Sequence, residues 1–330
     1  DESVSLQLQT NAQLFDFIAV SIGGQATDND FHWEDTYVSF GTDWAQLDIG
    51  NKPHWFSPFR HSAMLISSHA QTIPTLSLSN SRSLSDFNIN YELFVGSLSE
   101  SQRIRYQDDY IAGEPVITGM HVEFSPFPGF SLAVNRILQS GGGKREGNGF
   151  EDLLNAFFDP SGADNTSDEL GFDEQFGNQN ASITSQFTFA GPQPFSIYLE
   201  YAGEDTSRGS NWRLGNSALS AGIFIPSLTP TLSLTYEWSE WQNGWYSHSV
   251  YQDGMTNNGN IIGLWAVESR ASDGNFSANS VGGTHNFVEL NWTPVTDHHL
   301  TFEFAHTNNE NYGAIKYQSA YKALLRWQSS

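Results

Sequence analysis

The chain has no cysteine in 330 residues, which excludes disulfide scaffolds, thiol catalysis and thiolate metal sites. It is short of cations, with 14 Lys+Arg against 37 Asp+Glu and a formal net charge of −23. A field of that sign repels phosphate backbones and argues against nucleic acid as a partner. It also lacks any uninterrupted apolar run of the roughly 20 residues that a membrane helix needs, and mean hydropathy is −0.40. A helical membrane protein is thereby excluded. A barrel is not, because its strands place apolar residues only at every second position. No secretory signal is visible, since Asp1 opens directly into strand-like sequence, so a processed or truncated form is expected.

What is abundant is aromatic: 10 Trp, 12 Tyr and 24 Phe, 14% of the chain. That suits interfacial girdles, where amphipathic rings sit between lipid and water. The clearest periodicity lies in Pro194–Gly254. Phe195, Ile197, Leu199 and Tyr201 alternate with Ser196, Tyr198 and Glu200, and Leu232, Leu234, Tyr236 and Trp238 alternate with Ser233, Thr235 and Glu237. A period of two marks strands with one apolar and one wet face.

The same pattern recurs along the chain, predicting about 17 strands. Among them are Val4–Leu8, Leu14–Ile22, Tyr37–Phe40, Trp44–Ile49, Ile261–Val267 and a short piece near Phe276. Compact turns are expected at Pro126–Gly129, Gly191–Pro194, Pro226–Pro230 and Pro294–His298. Long loops are expected after Gly50, Ser97, Gln139, Glu204, Trp241 and Thr307. The excursion from Gln139 to Asn178 includes a short helix in Phe150–Phe158. Tight turns at one end and long loops at the other make an all-β, transmembrane antiparallel barrel of the outer-membrane type, as a single domain over 1–330. With the turns facing the periplasm, the first strand runs inward from outside. Because single-chain barrels of bacteria have even strand numbers, at least one further strand is expected upstream of Asp1, for about 18 in the full protein.

Four segments resemble the Wzi family of outer-membrane capsule-assembly proteins. They are WAQLDIGNKPHWFSPFRHSAMLISSHAQTIPTLSLSNS, NRILQSGGGK, FGNQNASITSQFTF, and FSIYLEYAGEDTS followed by YSHSVYQDGMTNNGNIIG. Together they span most of Trp44 to Gly263. Met255 stands where an aromatic is usual in the family, and Leu264–Glu268 lacks the Gly-rich continuation. The resemblance implies an integral outer-membrane barrel that acts as a surface lectin, anchors exported capsular polysaccharide, needs no cofactor and is not an enzyme. The lipid and lipopolysaccharide of the membrane are the other expected partners, and a monomer is expected.

Candidate glycan contacts are Trp212, Arg213, Trp241, Trp245 and Tyr246 at the loop ends, with the basic pair Lys144 and Arg145. Sugar C–H faces lie on aromatic rings, and guanidinium or ammonium groups pair with acidic substituents. For Trp238 and Trp241 a girdle role competes. Trp55, Arg60 and His61, in the Pro-kinked segment Asn51–Gln71, are expected to fold into the lumen and plug it. His61-Ser62 also raises a hydrolase, but no third group stands at a triad spacing. Gly141–Lys144 lacks the GxxxxGK[ST] order of a phosphate loop, and the acidic stretch Asp164–Glu174 lacks the EF-hand order, so no metal is assigned. A porin or glycan-specific channel is the competing function, and an outer-membrane hydrolase a more distant one.

Overall fold

The computed structural model describes residues 5–27, 31–145, 149–158, 173, 175–207, 210–267, 281–310 and 316–329. In chain order the strands are β1 (Ser5–Phe15), β2 (Ile18–Thr27), β3 (Phe31–Trp33), β4 (Thr36–Thr42), β5 (Ala45–Asn51), β6 (Pro74–Ser79) and β7 (Asn90–Ser97). Next come β8 (Ser101–Tyr106), β9 (Asp109–Gly113), β10 (Val116–Phe127), β11 (Phe130–Ser140), helix α1 (Phe150–Phe158), β12 (Gly177–Phe189), β13 (Phe195–Ser207) and β14 (Ser210–Thr229). The last are β15 (Leu232–Trp241), β16 (Thr256–Asn257), β17 (Asn260–Ile261), β18 (Gly283–Val295), β19 (His298–Asn309) and β20 (Ala320–Ser329).

One sheet of 16 strands forms the wall, in the order β1-β2-β4-β5-β6-β7-β10-β11-β12-β13-β14-β15-β18-β19-β20, with β3 paired beside it on β2. Every neighbour along this path is the next wall strand in sequence and runs antiparallel. The order is an up-and-down meander, as expected when short turns join consecutive strands. Among the described residues β1 and β20 do not pair. Both run from the long-loop end to the tight-turn end, so they could not join antiparallel to each other.

Alternation along each strand sorts the side chains. On β6, Thr75 and Ser77 are buried while Leu76 and Leu78 are exposed. On β13, Ser196, Tyr198 and Glu200 are buried between exposed Ile197 and Leu199. The wet face of each strand is thus the covered one, and the apolar face is bare. That inversion of a soluble fold is what a lipid-facing wall with a polar lumen requires. Two glycines make room for inward rings. A Cβ on Gly119 would sit 2.0 Å from the Phe94 ring, and one on Gly222 would sit 2.1 Å from that of Tyr198. Each ring lies flat across the facing strand only because that residue has no side chain.

Some boundaries differ from the sequence reading. The first two strands meet at a turn near Asp16, because alternation continues through Thr10–Gln13. The segment carrying Trp212 and Arg213 is the start of the 20-residue β14 and not a loop. Ile261–Val267 contributes only to the two-residue β16–β17 pair and then packs inside the barrel. The piece near Phe276 lies outside the described residues. The polar stretch after Ser97 folds as the β8–β9 hairpin.

Helix α1 spans the residues expected of it, and its position is informative. It packs on Leu138, together with Phe176. Ile137 belongs to the lumen cluster, so Leu138, its neighbour in the strand, faces outward. The helix therefore lies on the outer side of the wall near the long-loop end.

Candidate functional site

The lumen is filled by the chain itself. Residues 52–73, between β5 and β6, dip inward, and residues 242–267, between β15 and β18, fold over them. Phe56, Met64, Leu65 and Ile66 of the first segment and Trp245, Tyr246, Met255, Ile262 and Leu264 of the second form one buried cluster with inward residues of the wall. Neither segment has strand or helix periodicity, because its side chains meet wall on all sides and not on one face.

Wall carboxylates hold the plug. The Glu237 carboxylate accepts the backbone N–H groups of Arg60 (2.7 Å), His61 (3.2 Å) and Ser62 (2.8 Å), and the Tyr198 hydroxyl (3.1 Å). Three successive N–H groups form a concave anion seat, here filled by a side chain of the wall. Glu200 accepts from the Ser57 hydroxyl (3.2 Å) and from the Met64 N–H (3.4 Å). His54 bonds to Glu92 at 2.6 Å and to Thr75 at 3.1 Å while stacking on Phe94. Lys52 pairs with Asp48 at 2.7 Å and lies 3.5 Å from Glu92. Each of these covered or half-covered groups has a named partner, as a charge taken out of water requires, although one Glu200 oxygen has no hydrogen bond among the described residues.

The second segment is tied to the first and to the rim. The Tyr246 hydroxyl donates to the Met64 carbonyl and accepts the Leu264 N–H (2.7 Å). The Tyr246 N–H donates to Glu204. Asn257 accepts the Ser99 N–H (2.9 Å) and donates to the Gln71 carbonyl (3.1 Å). Asp253 receives Arg103 Nε at 2.8 Å. In the same loop burial, and then the Arg145 charge, push the His248 imidazole down to about 4, so it is neutral at neutral pH.

The expected glycan contacts do not come together. Trp241, Trp245 and Tyr246 are at most 1% exposed, inside the plug cluster, and offer no ring face to an outside sugar. The indole N–H of Trp241 donates to the Val281 carbonyl. Trp238, by contrast, alternates onto the outer face of β15 with Tyr236. Arg145 is buried and donates to the Gln175 carbonyl, whereas Lys144 beside it is exposed. Arg213 is exposed on β14, and the side chain of Trp212 is outside the described set.

Trp55, Arg60 and His61 do come together. They line a cavity of about 280 Å³ with Trp265, Phe287, Glu303 and Lys322, between the plug and β18–β20. His61 Nε2 lies 3.2 Å from Glu289, and the Ser62 hydroxyl has no hydrogen-bond partner among the described residues. His61 and Ser62 are therefore not arranged as a base and its nucleophile. Among the described residues no group of three or more His, Cys, Asp or Glu is placed to hold a metal ion.

Sequence reasoning missed Trp265, Lys322 and the holding carboxylates. A signal for Glu237 existed. It shares the inward register with Ser233, Thr235 and Ser239, and a charge in that register must find a partner across the lumen. Nothing local marks Trp265, which reads as part of a strand.

A polar-lumen, apolar-surface meander with a plug defines an outer-membrane β-barrel. The family model "Capsule assembly protein Wzi" matches residues 1–293, and the chain belongs to that family. Among solved structures it is similar to Wzi of Escherichia coli, described as an outer-membrane protein involved in group 1 capsule assembly and a carbohydrate-binding β-barrel. That match has 16% identity, a TM-score of 0.66, and covers 96% of this chain and 76% of the other. The outer-membrane channel DcaP of Acinetobacter baumannii matches at 12% identity and a TM-score of 0.51, covering 99% of this chain and 84% of the other. At these identities the structural matches carry the fold alone. No curated protein matches. The protein is an integral outer-membrane protein of a Gram-negative bacterium.

Proposed function

We propose that this barrel binds capsular polysaccharide and anchors it at the cell surface, as a monomer that is neither an enzyme nor a diffusion channel. The observation that carries the reading is the plug. A porin needs an open lumen with a charged constriction, whereas here Glu237, Glu200 and Glu92 are occupied in holding residues 54–64 across the bore. Membership of the capsule-assembly family supplies the partner, since the solved Wzi barrel is described as binding carbohydrate. Exposed Arg213 and Lys144 remain candidate contacts for acidic sugars or lipopolysaccharide phosphates at the rim.

The test is genetic. Deleting the gene is expected to release capsule from cells into the medium without stopping its synthesis. Capsule that stays cell-bound after deletion removes the anchoring role. Large, steady currents in a planar bilayer would instead establish a channel.

A further inference from the structure

The cavity between the plug and β18–β20 has a composition unlike the rest of the chain. Two indoles, Trp55 and Trp265, stand in its lining with Arg60 and Lys322. The chain has only 14 Lys+Arg against 37 Asp+Glu, so two cations in one small cavity run against the overall field. Its carboxylates are already engaged. Glu303 lies 3.6 Å from Arg326, and neighbouring Glu289 lies 3.2 Å from His61. Arg60 and Lys322 make no ion pair within 4 Å among the described residues, although the Arg60 charge acts on Glu289 from farther away. Each instead lies over an aromatic ring, the Arg60 guanidinium 3.6 Å from Phe224 and the Lys322 ammonium 5.1 Å from Trp265.

A cation resting on a ring keeps its charge available to an incoming anion. The volume, about 280 Å³, is near the lower end of the roughly 300–1,000 Å³ of small-ligand sites. It therefore fits a sugar unit or two and not a long chain. A ligand matching this lining has an apolar face to lie on indole and a carboxylate to meet Arg60 and Lys322. A neutral hexose satisfies only the first requirement. A phosphate satisfies only the second.

We infer that this cavity is a subsite for a uronic-acid unit of an acidic polysaccharide, with Trp55 and Trp265 as the stacking platform and Arg60 and Lys322 as the carboxylate clamp. This rests on the polysaccharide-binding reading above and adds to it the place of contact and the charge of the sugar. It also moves the contact from the rim, where Trp241, Trp245 and Tyr246 are buried, to the seam between plug and wall. Because the clamp is electrostatic, binding weakens as salt is raised.

The test uses the full-length protein purified from outer membranes in detergent, titrated with a galacturonate hexamer and, separately, with the neutral maltohexaose. Heat is measured by calorimetry and indole environment by tryptophan fluorescence. The expected result is saturable binding of the galacturonate hexamer with a change in tryptophan emission, and no binding of maltohexaose. Lys322→Glu and Arg60→Ala each remove one cation while leaving the backbone bonds to Glu237 in place, and each is expected to weaken binding by about tenfold or more. Heat-modifiable migration on gels verifies that the variants fold. No binding of the galacturonate hexamer, equal binding of maltohexaose, or unaltered binding by folded Lys322→Glu overturns the proposal. If it falls while gene deletion still sheds capsule, the subsite is wrong and the anchoring role stands. If deletion leaves capsule bound, the anchoring role itself is wrong.

Discussion

The wall and the plug obey opposite rules. In the wall, position along the strand decides everything: Leu76 is bare and Ser77 covered because they are neighbours, whatever lies around them. In the plug, position along the chain decides almost nothing. Phe56, Met64 and Leu65 are buried at irregular spacing, with Phe56 against the rings of Phe94 and His121 on β7 and β10 and Met64 bonded to Tyr246 of the second segment. A wall strand is bonded to the next wall strand along the chain, whereas the plug is bonded to residues far away, as in the 177-residue span from Arg60 to Glu237. The wall can therefore assemble from local hairpins, while the plug finds its place only when the lumen exists around it.

The comparison breaks most plainly if the plug is removed. Deleting residues 54–72 and joining the flanks with a short Gly/Ser linker should leave a barrel that still inserts but conducts. Planar-bilayer recording reads this as a change from closed to stepwise current. A deleted barrel that stays closed would mean that residues 242–267 seal the bore alone. Next in size is a charge on the outer face. Leu199→Arg puts a cation where the wall is bare, at a cost of about 2–4 kcal/mol if the site lies near mid-bilayer. Unfolding in urea from lipid vesicles measures it, and an unchanged midpoint would place β13 outside the apolar belt.

Glu237→Ala should be of similar size but different in kind. It strips a partner from three backbone N–H groups and the Tyr198 hydroxyl, a loss of about 3 kcal/mol for buried donors left unsatisfied. The wall should persist while residues 54–64 become protease-sensitive, which limited proteolysis followed by mass spectrometry detects. The most local effect is that of pH, which acts through one side chain. With the folded His248 imidazole held down at about 4 by burial and Arg145, the unfolded loop takes a proton near the ordinary value of about 6.5 that the folded loop refuses. Stability of the 242–255 loop is thus fully present above about 6.5 and declines as pH falls toward about 4. The protection factors of the Val250 and Met255 amides, corrected for the intrinsic pH dependence of exchange, should fall over that window, and His248→Gln should flatten the profile.

Much of this was legible in the residues. The alternation in Phe195–Tyr201 and Leu232–Trp238 marks both strands and which face is apolar, and Pro126–Gly129 marks a turn. Phe150–Phe158 reads as a helix from its own spacing. Segment 51–71 reads as something other than strand, with Arg60 expected in the lumen. Reading stopped where burial depends on distant chain. Trp245 and Tyr246 look like an exposed aromatic loop, and only the packing of Met64 and Glu204 against Tyr246 shows them to be interior. Lys322 looks like an ordinary charge on a terminal strand until Trp265 is brought beside it.

By itself, then, the sequence determined the barrel, its two faces and its two unlike ends, because a period of two and a compact turn are properties of consecutive residues. The tertiary structure decided what fills the lumen and which cations rest on aromatic rings, because a carboxylate's partner and a ring's neighbours come from segments that meet only after the wall has curved around them.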